Sequence, residues 1–303
     1  MPTFSGKKQV NLCLLLGLML WLATARALDI TVAAYSNGPA MQAFIDSLTV
    51  ARPQDRVRFI ATHELPSSAQ MNHDSRLILI GPQLLDWRQR SVQGPPTIVL
   101  QVSRVQARKI LDKREPPGII LLWSDPPLAR QLNLIREALP HGQRIGVLYG
   151  NDSGFLVNEL RQAASDHGLQ INAQFWPNSN YTRPLHRVLD HSDVLFGLDD
   201  AQLYNSSTIK TLLLSSYGRR IPLIGPTAAF IRAGSLASTY SNQEDWLKSI
   251  NQLLDRDPLS WPASIYPESF QIMRNLQVGR SLGISLGDKH ALVNRLQHLE
   301  ITP

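Results

Sequence analysis

The sequence predicts an α/β protein of two doubly wound parallel-sheet lobes with a hinged cleft between them. Strand-length runs of Val, Ile and Leu, such as RLILIG at 76–81, lack polar alternation, which is typical of parallel strands buried on both faces. Helical patterns separate these runs, and the series restarts near residue 127, as expected for a second lobe. The length of 303 residues also exceeds one typical domain.

The first lobe is predicted from five strand-length runs and the helical patterns between them. Short polar segments such as Ser36-Asn37-Gly38 separate these elements, as expected for loops. The predicted strands occupy 28–35, 56–61, 76–81, 97–102 and 117–125, with helices near 39–50, 82–90 and 103–113.

The second lobe repeats this alternation. Leu128, Leu132 and Ile135 follow helical spacing ahead of the apolar run RIGVLYG, which indicates a helix and then a strand. Gly168 and Gly218 follow later helical patterns and favour helix ends there. The predicted strands are 144–150, 169–176, 193–198, 221–226 and 234–240. The predicted helices are 127–140, 153–168, 207–218 and 242–255, with a short helix after 221–226, and a last strand and helix lie within SFQIMRNLQVGRSLGISLGD.

The first 27 residues predict a cleavable secretory signal. Lys7 and Lys8 precede the apolar run VNLCLLLGLMLWLAT, and the tripeptide ARA at 25–27 fits a cleavage site. The alternative is a membrane anchor, but the run of about 15 residues is shorter than the roughly 20 that a span needs. Cleavage would begin the mature, exported chain at Leu28.

Composition narrows the functional classes. Cys13 is the only cysteine and lies in the predicted signal, so the exported chain would rely on its core without disulfides. The net charge of +6 falls to +3 once Lys7, Lys8 and Arg26 are removed. This small and scattered charge argues against nucleic acid as a partner.

No enzyme class or metal site is predicted. The phosphate-binding pattern G-x-x-x-x-G-K-[ST], the dinucleotide pattern G-x-G-x-x-G and the zinc pattern H-E-x-x-H are absent. The pairs His63-Glu64 and His73-Asp74 do not match helical metal-ligand spacing. We therefore expect a non-enzymatic protein without catalytic residues, metal or cofactor, with a Ser–His–Asp triad of distant residues as a lesser alternative.

Polar residues cluster where the predicted strands end. Asp199 and Asp200 directly follow the run DVLFGL, and Asn205 lies on the turn beyond them. In open α/β sheets, ligands bind outside the carboxyl ends of the strands, so these positions are candidate ligand contacts. The full candidate set is Tyr35, Ser36, Asn37, Ser124, Asp125, Asn151, Ser153, Asp199, Asp200, Asn205 and Tyr240.

Each kind of candidate has a structural alternative. Carboxylates such as Asp199 and Asp200 also cap helix N-termini, and Asn205 before two serines is itself typical of an N-cap. Tyr35 and Tyr240 would either stack on a planar ligand or close the core. The sequence leaves both interpretations open.

Four segments resemble the ABC-transporter substrate-binding protein family of the tryptophan/tyrosine-binding kind. They are WSDPPLARQLNLIREALP, RIGVLYGNDS, LDDAQLYNSSTIKTLLLSSYGRRIPLIGPTAAFIRAGSLASTYSN and ESFQIMRNLQVGRSLGISL, which together lie within roughly 120–285. The resemblance implies the type I periplasmic binding protein fold. Its lobes would be 28–123 plus 241–264 and 124–240 plus 265–303, after the signal at 1–27.

The same resemblance implies a periplasmic protein that captures a small polar or aromatic metabolite between closing lobes. It would deliver this ligand to an inner-membrane ABC permease and would not itself span the membrane after cleavage. The alternative is a transporter-independent periplasmic sensor or accessory protein of the same fold that signals to a membrane receptor. Asn151-Asp-Ser-Gly stands where relatives often carry Ser or Glu, which leaves the ligand's identity open.

Overall fold

The structure, a computed structural model, describes residues 27–177 and 181–301. Apart from Ala27, the predicted signal at 1–27 lies outside the described residues. Within the described ranges, no helix combines the length and the apolar character that crossing a membrane requires.

Strands and helices alternate along most of the described chain. The strands are β1 (Asp29–Ala34), β2 (Arg56–Ala61), β3 (Arg76–Ile80), β4 (Thr97–Val102), β5 (Ile119–Trp123), β6 (Arg144–Tyr149), β7 (Gln170–Phe175), β8 (Val194–Phe196), β9 (Leu223–Ile224), β10 (Ala237–Tyr240), β11 (Ser264–Ile265) and β12 (Gln271–Arg274). The α-helices are α1 (Pro39–Ala51), α2 (Pro82–Gln89), α3 (Arg104–Leu111), α4 (Leu128–Ala138), α5 (Gly154–Ser165), α6 (Arg183–Asp190), α7 (Ile209–Tyr217), α8 (Ala228–Ala233), α9 (Gln243–Leu254), α10 (Leu276–Leu282) and α11 (Lys289–Ile301). Short 3₁₀ turns cover Thr62–Glu64, Ser68–Gln70 and Pro258–Ser260.

Both lobes are built on a six-stranded sheet with equivalent strand order. The first sheet runs β2-β1-β3-β4-β5-β11 and the second runs β7-β6-β8-β9-β10-β12. The first sheet is parallel throughout, whereas β12 pairs antiparallel with β10 at one edge of the second. The predicted fold class is confirmed, and β12 lies within the segment predicted as the last strand, although its antiparallel pairing was not predicted.

Burial on both faces explains why the strands are apolar throughout. In the first sheet, Ile98 and Leu122 pack on the face covered by α1 and α9, while Val99 and Leu121 pack on the face covered by α2 and α3. These four side chains are each at most 6% exposed. Burying one such side chain contributes about 1.5–3 kcal/mol, so a continuous apolar run is the arrangement that a two-sided sheet favours.

Three chain segments cross between the lobes side by side. They follow β5, β10 and β11, and together they line one narrow space at Trp123–Pro127, Tyr240–Ser241 and Tyr266–Pro267. Because β5 and β10 end at this junction, the carboxyl edges of both sheets lie next to it. This junction is the hinge of the molecule.

Three described elements have no counterpart in the sequence prediction. Strand β11 has only two residues and follows a proline-rich stretch, so it shows no periodicity. Helix α6 begins at Arg183-Pro184 and buries only Leu185, Val188 and Leu189. Helix α11 is mostly polar and is held in part by an ion pair of buried Arg130 with Glu300, 2.5 Å between Nε and Oε1. Tertiary contacts, more than local pattern, account for these elements.

Candidate functional site

The strand order reverses at equivalent places in the two sheets. In the first sheet this occurs between β1 and β3, and in the second between β6 and β8. Loops that leave such a switch point diverge to opposite faces of the sheet and open a crevice for ligands. The predicted residues Tyr35–Asn37 follow β1, Asn151–Ser153 follow β6 and Asp199–Asp200 follow β8, so the structure places them at these crevices.

Asp200 ties the two loops of the second lobe together. Its Oδ2 accepts a hydrogen bond of 2.5 Å from the hydroxyl of Ser153, which accepts one of 2.9 Å from the backbone N–H of Gly150. Its Oδ1 accepts from the backbone N–H of Gln202 at 3.0 Å. Asp200 is 1% exposed and Ser153 is fully buried. Both side chains therefore hydrogen-bond within the second lobe and fix the positions of its two loops.

The turn beyond Asp200 is also occupied by internal contacts. Asn205 Oδ1 accepts from the backbone N–H groups of Ser207 and Thr208, and its amide donates to the carbonyl of Ala201. Tyr204 is 5% exposed and packs edge-on against Phe230. In the described structure Asn205 therefore stabilises the turn that leads into α7.

Asp199 points away from this network and shares a small cavity with Asp125. The cavity is lined from the hinge by Asp125 and from the second lobe by Gln131, Gly197 and Asp199. Gly197 is needed for the close wall, since a Cβ there would lie 2.8 Å from Cδ of Pro226. Two carboxyls therefore face one partly enclosed space.

The electrostatics of this pair are unusual. Burial, together with the charge of Asp199, raises the pKa of Asp125 to about 7. Burial, together with the charge of Asp200, raises the pKa of Asp199 to about 6. Since each carboxyl is costly to ionise alone, a positively charged group or a hydrogen-bond donor between them would be favoured.

The hinge surrounds Asp125 with polar groups. Its Oδ1 accepts from the backbone N–H of Arg104 at 2.9 Å. Burial, together with the charge of Asp125, raises the pKa of Tyr266 to about 12. The predicted residues Ser124 and Tyr240 line the same junction, partly exposed. Asp125 thus links the start of α3, the hinge and the second-lobe crevice.

The first-lobe edge is open by comparison. Tyr35, Ser36 and Asn37 are exposed, Tyr35 by 86%, and none of their side chains hydrogen-bonds to another described residue. Asn151, across the cleft, is exposed in the same way. These four side chains are free to meet a ligand.

Gln101 is a candidate that the sequence reading missed. It has φ +55°, a left-handed conformation uncommon for a residue with a Cβ, at a bulge where the pairing of β4 with β5 shifts between Val99 and Val102. It borders a cavity of about 270 Å³ with Met41 and Trp246 at the carboxyl edge of the first sheet. Strained residues and bulges concentrate at binding sites. The one polar residue inside the apolar run TIVLQV was the available signal.

The lobes also touch beside the hinge. Arg104 forms an ion pair with Glu159 on α5, with Nη2 2.8 and 2.6 Å from the two carboxylate oxygens. Lys109 lies 3.4 Å from Asp152. These contacts join α3 of the first lobe to α5 and its preceding loop, so they are sensitive to how far the lobes open.

Two chemical alternatives gain no support from the described residues. Within the described ranges, no group of three or more His, Cys, Asp or Glu side chains is placed to hold a metal ion. The segment GRSLG at 279–283 has the G-x-S-x-G spacing of a nucleophile elbow, but Ser281 lies on α10, exposed, and its hydroxyl donates to the carbonyl of Val278.

Comparison with solved structures agrees with this architecture. A tryptophan-bound ABC domain from Streptococcus pneumonia is 18% identical, with 88% of this chain and 98% of that chain covered at a TM-score of 0.57. The ligand-free, open form of a substrate-binding protein with adhesive properties from Clostridium difficile is 17% identical, with 86% and 96% covered at 0.65. A conserved domain protein from Vibrio cholerae is 17% identical, with 89% and 98% covered at 0.58. At these identities the likeness concerns the fold.

Family membership rests on the sequence itself. No protein of curated function matches the chain significantly. The sequence model of the ABC transporter substrate binding protein family matches residues 89–249, which include the hinge segment after β5, the second-lobe crevice and the segment after β10. With two lobes, three crossing segments and crevices at both switch points, the chain belongs to the ABC transporter substrate binding protein family.

Proposed function

We propose that the protein is a periplasmic solute-binding protein that captures a small polar or aromatic metabolite between its lobes for ABC-type import. The proposal rests on a contrast between two sets of side chains. Those beneath the cleft form hydrogen bonds with other residues of the protein, whereas most of those that face the cleft have no such partner. The proposed contacts are Tyr35, Ser36, Asn37 and Gln101 from the first lobe, Ser124, Asp125 and Tyr240 from the hinge, and Asn151 and Asp199 from the second lobe.

The carboxyl pair supports a ligand with an amine or several hydroxyl donors. Asp125 and Asp199 line one cavity, and burial raises the pKa of both carboxyls, with a further contribution to Asp125 from the charge of Asp199. A ligand ammonium would offset that cost and form charge-assisted hydrogen bonds. Aromatic surface is available at Tyr35 and Trp246 on the opposite side. A ligand that carries an amine on a planar or polar body would suit both the carboxyl pair and the aromatic side chains.

Closure is the proposed mechanism of capture. A ligand shifts a two-state equilibrium only through its different affinity for the two states. The open form offers Asp199 or Tyr35 to a ligand separately, whereas the closed form offers both, so ligand binding favours the closed form. A permease would then recognise the closed, loaded protein.

The first test is a thermal-shift screen of the purified protein against amino acids, aromatic amines, aromatic acids and sugars. A ligand specific to the folded state, present at a hundredfold excess over Kd, stabilises by about 2.7 kcal/mol. We expect amine-bearing compounds to raise the Tm and Asp199→Asn to weaken their binding by about tenfold or more. Asp166→Asn, an exposed carboxyl at the end of α5, is the matched control and should bind as the parent does.

Location and import need separate tests. N-terminal sequencing of protein recovered from the periplasm should begin at Leu28 if the predicted signal is cleaved. Uptake of the identified ligand should fall in cells that lack this protein and recover when it is restored. Ligand binding without any change in uptake would overturn the import step and favour the sensor alternative.

A further inference from the structure

A second cavity lies outside the cleft, on the α3 side of the first lobe. It measures about 250 Å³ and is bounded by α3, the loop 112–118, β5 and the segment that leads into β11. Strand β11 pairs only with Leu121 and Leu122, so it leaves the start of β5 uncovered. Trp123 borders both this cavity and the hinge.

The rim of this cavity is strongly basic. Its lining contains four cationic side chains and the single acid Glu115; the cations are Arg104, Arg108, Lys113 and Arg114. Arg104 is paired with Glu159, and Arg114 donates to the carbonyl of Leu111 and to Gln89.

Two of the cations have neither a hydrogen-bond partner nor an ion-pair partner among the described residues. Arg108 and Lys113 are exposed and have no hydrogen bond or ion pair within the described part of the chain. The guanidinium of Arg108 lies 4.5 Å from the ring centroid of Phe155, which orients it at the cavity. A planar guanidinium and a lysine ammonium are the donors that a carboxylate prefers.

The walls of the cavity are apolar and aromatic. Trp123, Phe155 and Ile119 face it, and Trp123 also brings a polar group. Its indole N–H, like that of Trp87, has no hydrogen-bond partner among the described residues, whereas Trp176, Trp246 and Trp261 each donate to a backbone carbonyl at 2.8–3.0 Å. An indole at a cavity wall offers a flat apolar surface and one free donor.

We infer that this cavity is a second ligand site, separate from the cleft, for a small organic anion: a carboxylate carried on an aromatic or branched apolar body. The carboxylate lies between Arg108 and Lys113, and the apolar body packs against Trp123 and Phe155. A bare inorganic anion would leave the aromatic walls unused, and a neutral ligand would leave two cations unpaired.

The site bridges the two lobes. Arg108 belongs to α3 of the first lobe, and Phe155 belongs to α5 of the second. An anion that draws Arg108 away from Phe155, or fixes it there, changes the free energy of lobe opening. By linkage, the occupant of this cavity and the ligand of the cleft then alter each other's affinity by the same factor.

The test is calorimetric titration of the full protein with phenylacetate, indole-3-acetate and isovalerate, each beside its neutral amide, and with inorganic phosphate. We expect saturable binding of at least one carboxylate, with its amide about tenfold or more weaker because a charge-assisted contact is lost. Binding should weaken at high salt. Arg108→Gln and Lys113→Gln should each weaken it by about tenfold.

Controls separate this site from the cleft and from net charge. Arg256→Gln removes one exposed positive charge near the end of α9, away from this cavity, and should bind the carboxylate as the parent does. Asp199→Asn, in the cleft, should also leave binding unchanged. The inference is wrong if no carboxylate binds at millimolar concentration, if amides or phosphate bind equally well, or if Arg108→Gln has no effect while Asp199→Asn abolishes binding. The proposed cleft function stands or falls separately, on the amine ligands.

Discussion

The two lobes share a strand order but prepare their cleft edges differently. In the second lobe, Asp200 holds the loops after β6 and β8 through Ser153 and a backbone N–H. In the first lobe, Tyr35 and Asn37 project without side-chain hydrogen bonds to other described residues. In the proposed closure mechanism, the second lobe would therefore present a preorganised surface, and the side chains of the first lobe would gain partners when the lobes close.

The largest effect should come from removing the Asp200 carboxylate, which holds the two second-lobe loops together. Asp200→Ala leaves the Ser153 hydroxyl and the Gln202 N–H without their buried acceptor, so we expect a loss of about 3 kcal/mol in the free energy of unfolding. Asn37→Ala in the first lobe should stay within about 0.5 kcal/mol of the parent, as exposed substitutions do. Urea unfolding of both variants measures the contrast. Equal losses would show that the two edges do not differ.

The pH dependence of stability should reveal the carboxyl pair. The folded-state pKa of Asp125 lies at about 7, above its ordinary value of 3.8, so the folded protein holds this proton more tightly than the unfolded chain. Its stabilising contribution is complete below about pH 4 and is lost as pH rises through about 7.

Asp125→Asn isolates this contribution. The variant should match the parent near pH 4 and exceed its free energy of unfolding at pH 8, because only the parent must then ionise a buried carboxyl. The amide can still accept from the Arg104 N–H, so the hinge contact is kept. Thermal unfolding across pH 4–8 measures the difference, and a difference that does not change with pH would contradict the assigned pKa.

Gln101 tests whether the first lobe stores strain at its edge. With φ +55°, Gln101→Gly should relieve backbone strain and stabilise the protein by about 0.5–1 kcal/mol, the flexibility of glycine offsetting part of the gain. The same change should weaken cleft ligands, since the side chain is lost. Chemical unfolding and ligand titration of the variant are the measurements. A gain in both stability and ligand affinity would show that the Gln101 side chain does not contact the ligand.

The smallest effect is expected where the lobes touch beside the hinge. Glu159→Gln breaks the ion pair with Arg104. Because the Glu159 side chain is 46% exposed, we expect the free energy of unfolding to fall by about 0.5 kcal/mol, and by less at high salt. Lys109→Gln should cost less, since that pair is longer and more exposed. Melting temperatures at low and high salt check both. A large, salt-independent loss would show a structural role for the contact.

Most of the fold was predictable because local hydrophobic patterns indicate its strands and helices. Runs such as TIVLQV and IILLW are apolar on both faces, and only strands covered by helices on both sides bury them fully. The short β11 and the polar α11 were not predictable in this way. Their positions depend on partners such as Leu121 and Arg130, which are distant in the sequence.

The sequence by itself determined that polar residues gather at strand ends, because loops of a parallel sheet emerge there. It did not determine which of the adjacent Asp199 and Asp200 faces the cleft. That was decided by Ser153, 47 residues earlier, which binds Asp200 and leaves Asp199 towards Asp125. The second cavity likewise depends on Phe155 reaching Arg108 across the lobes. Direction and pairing of side chains are tertiary properties, because they arise from contacts that no local pattern contains.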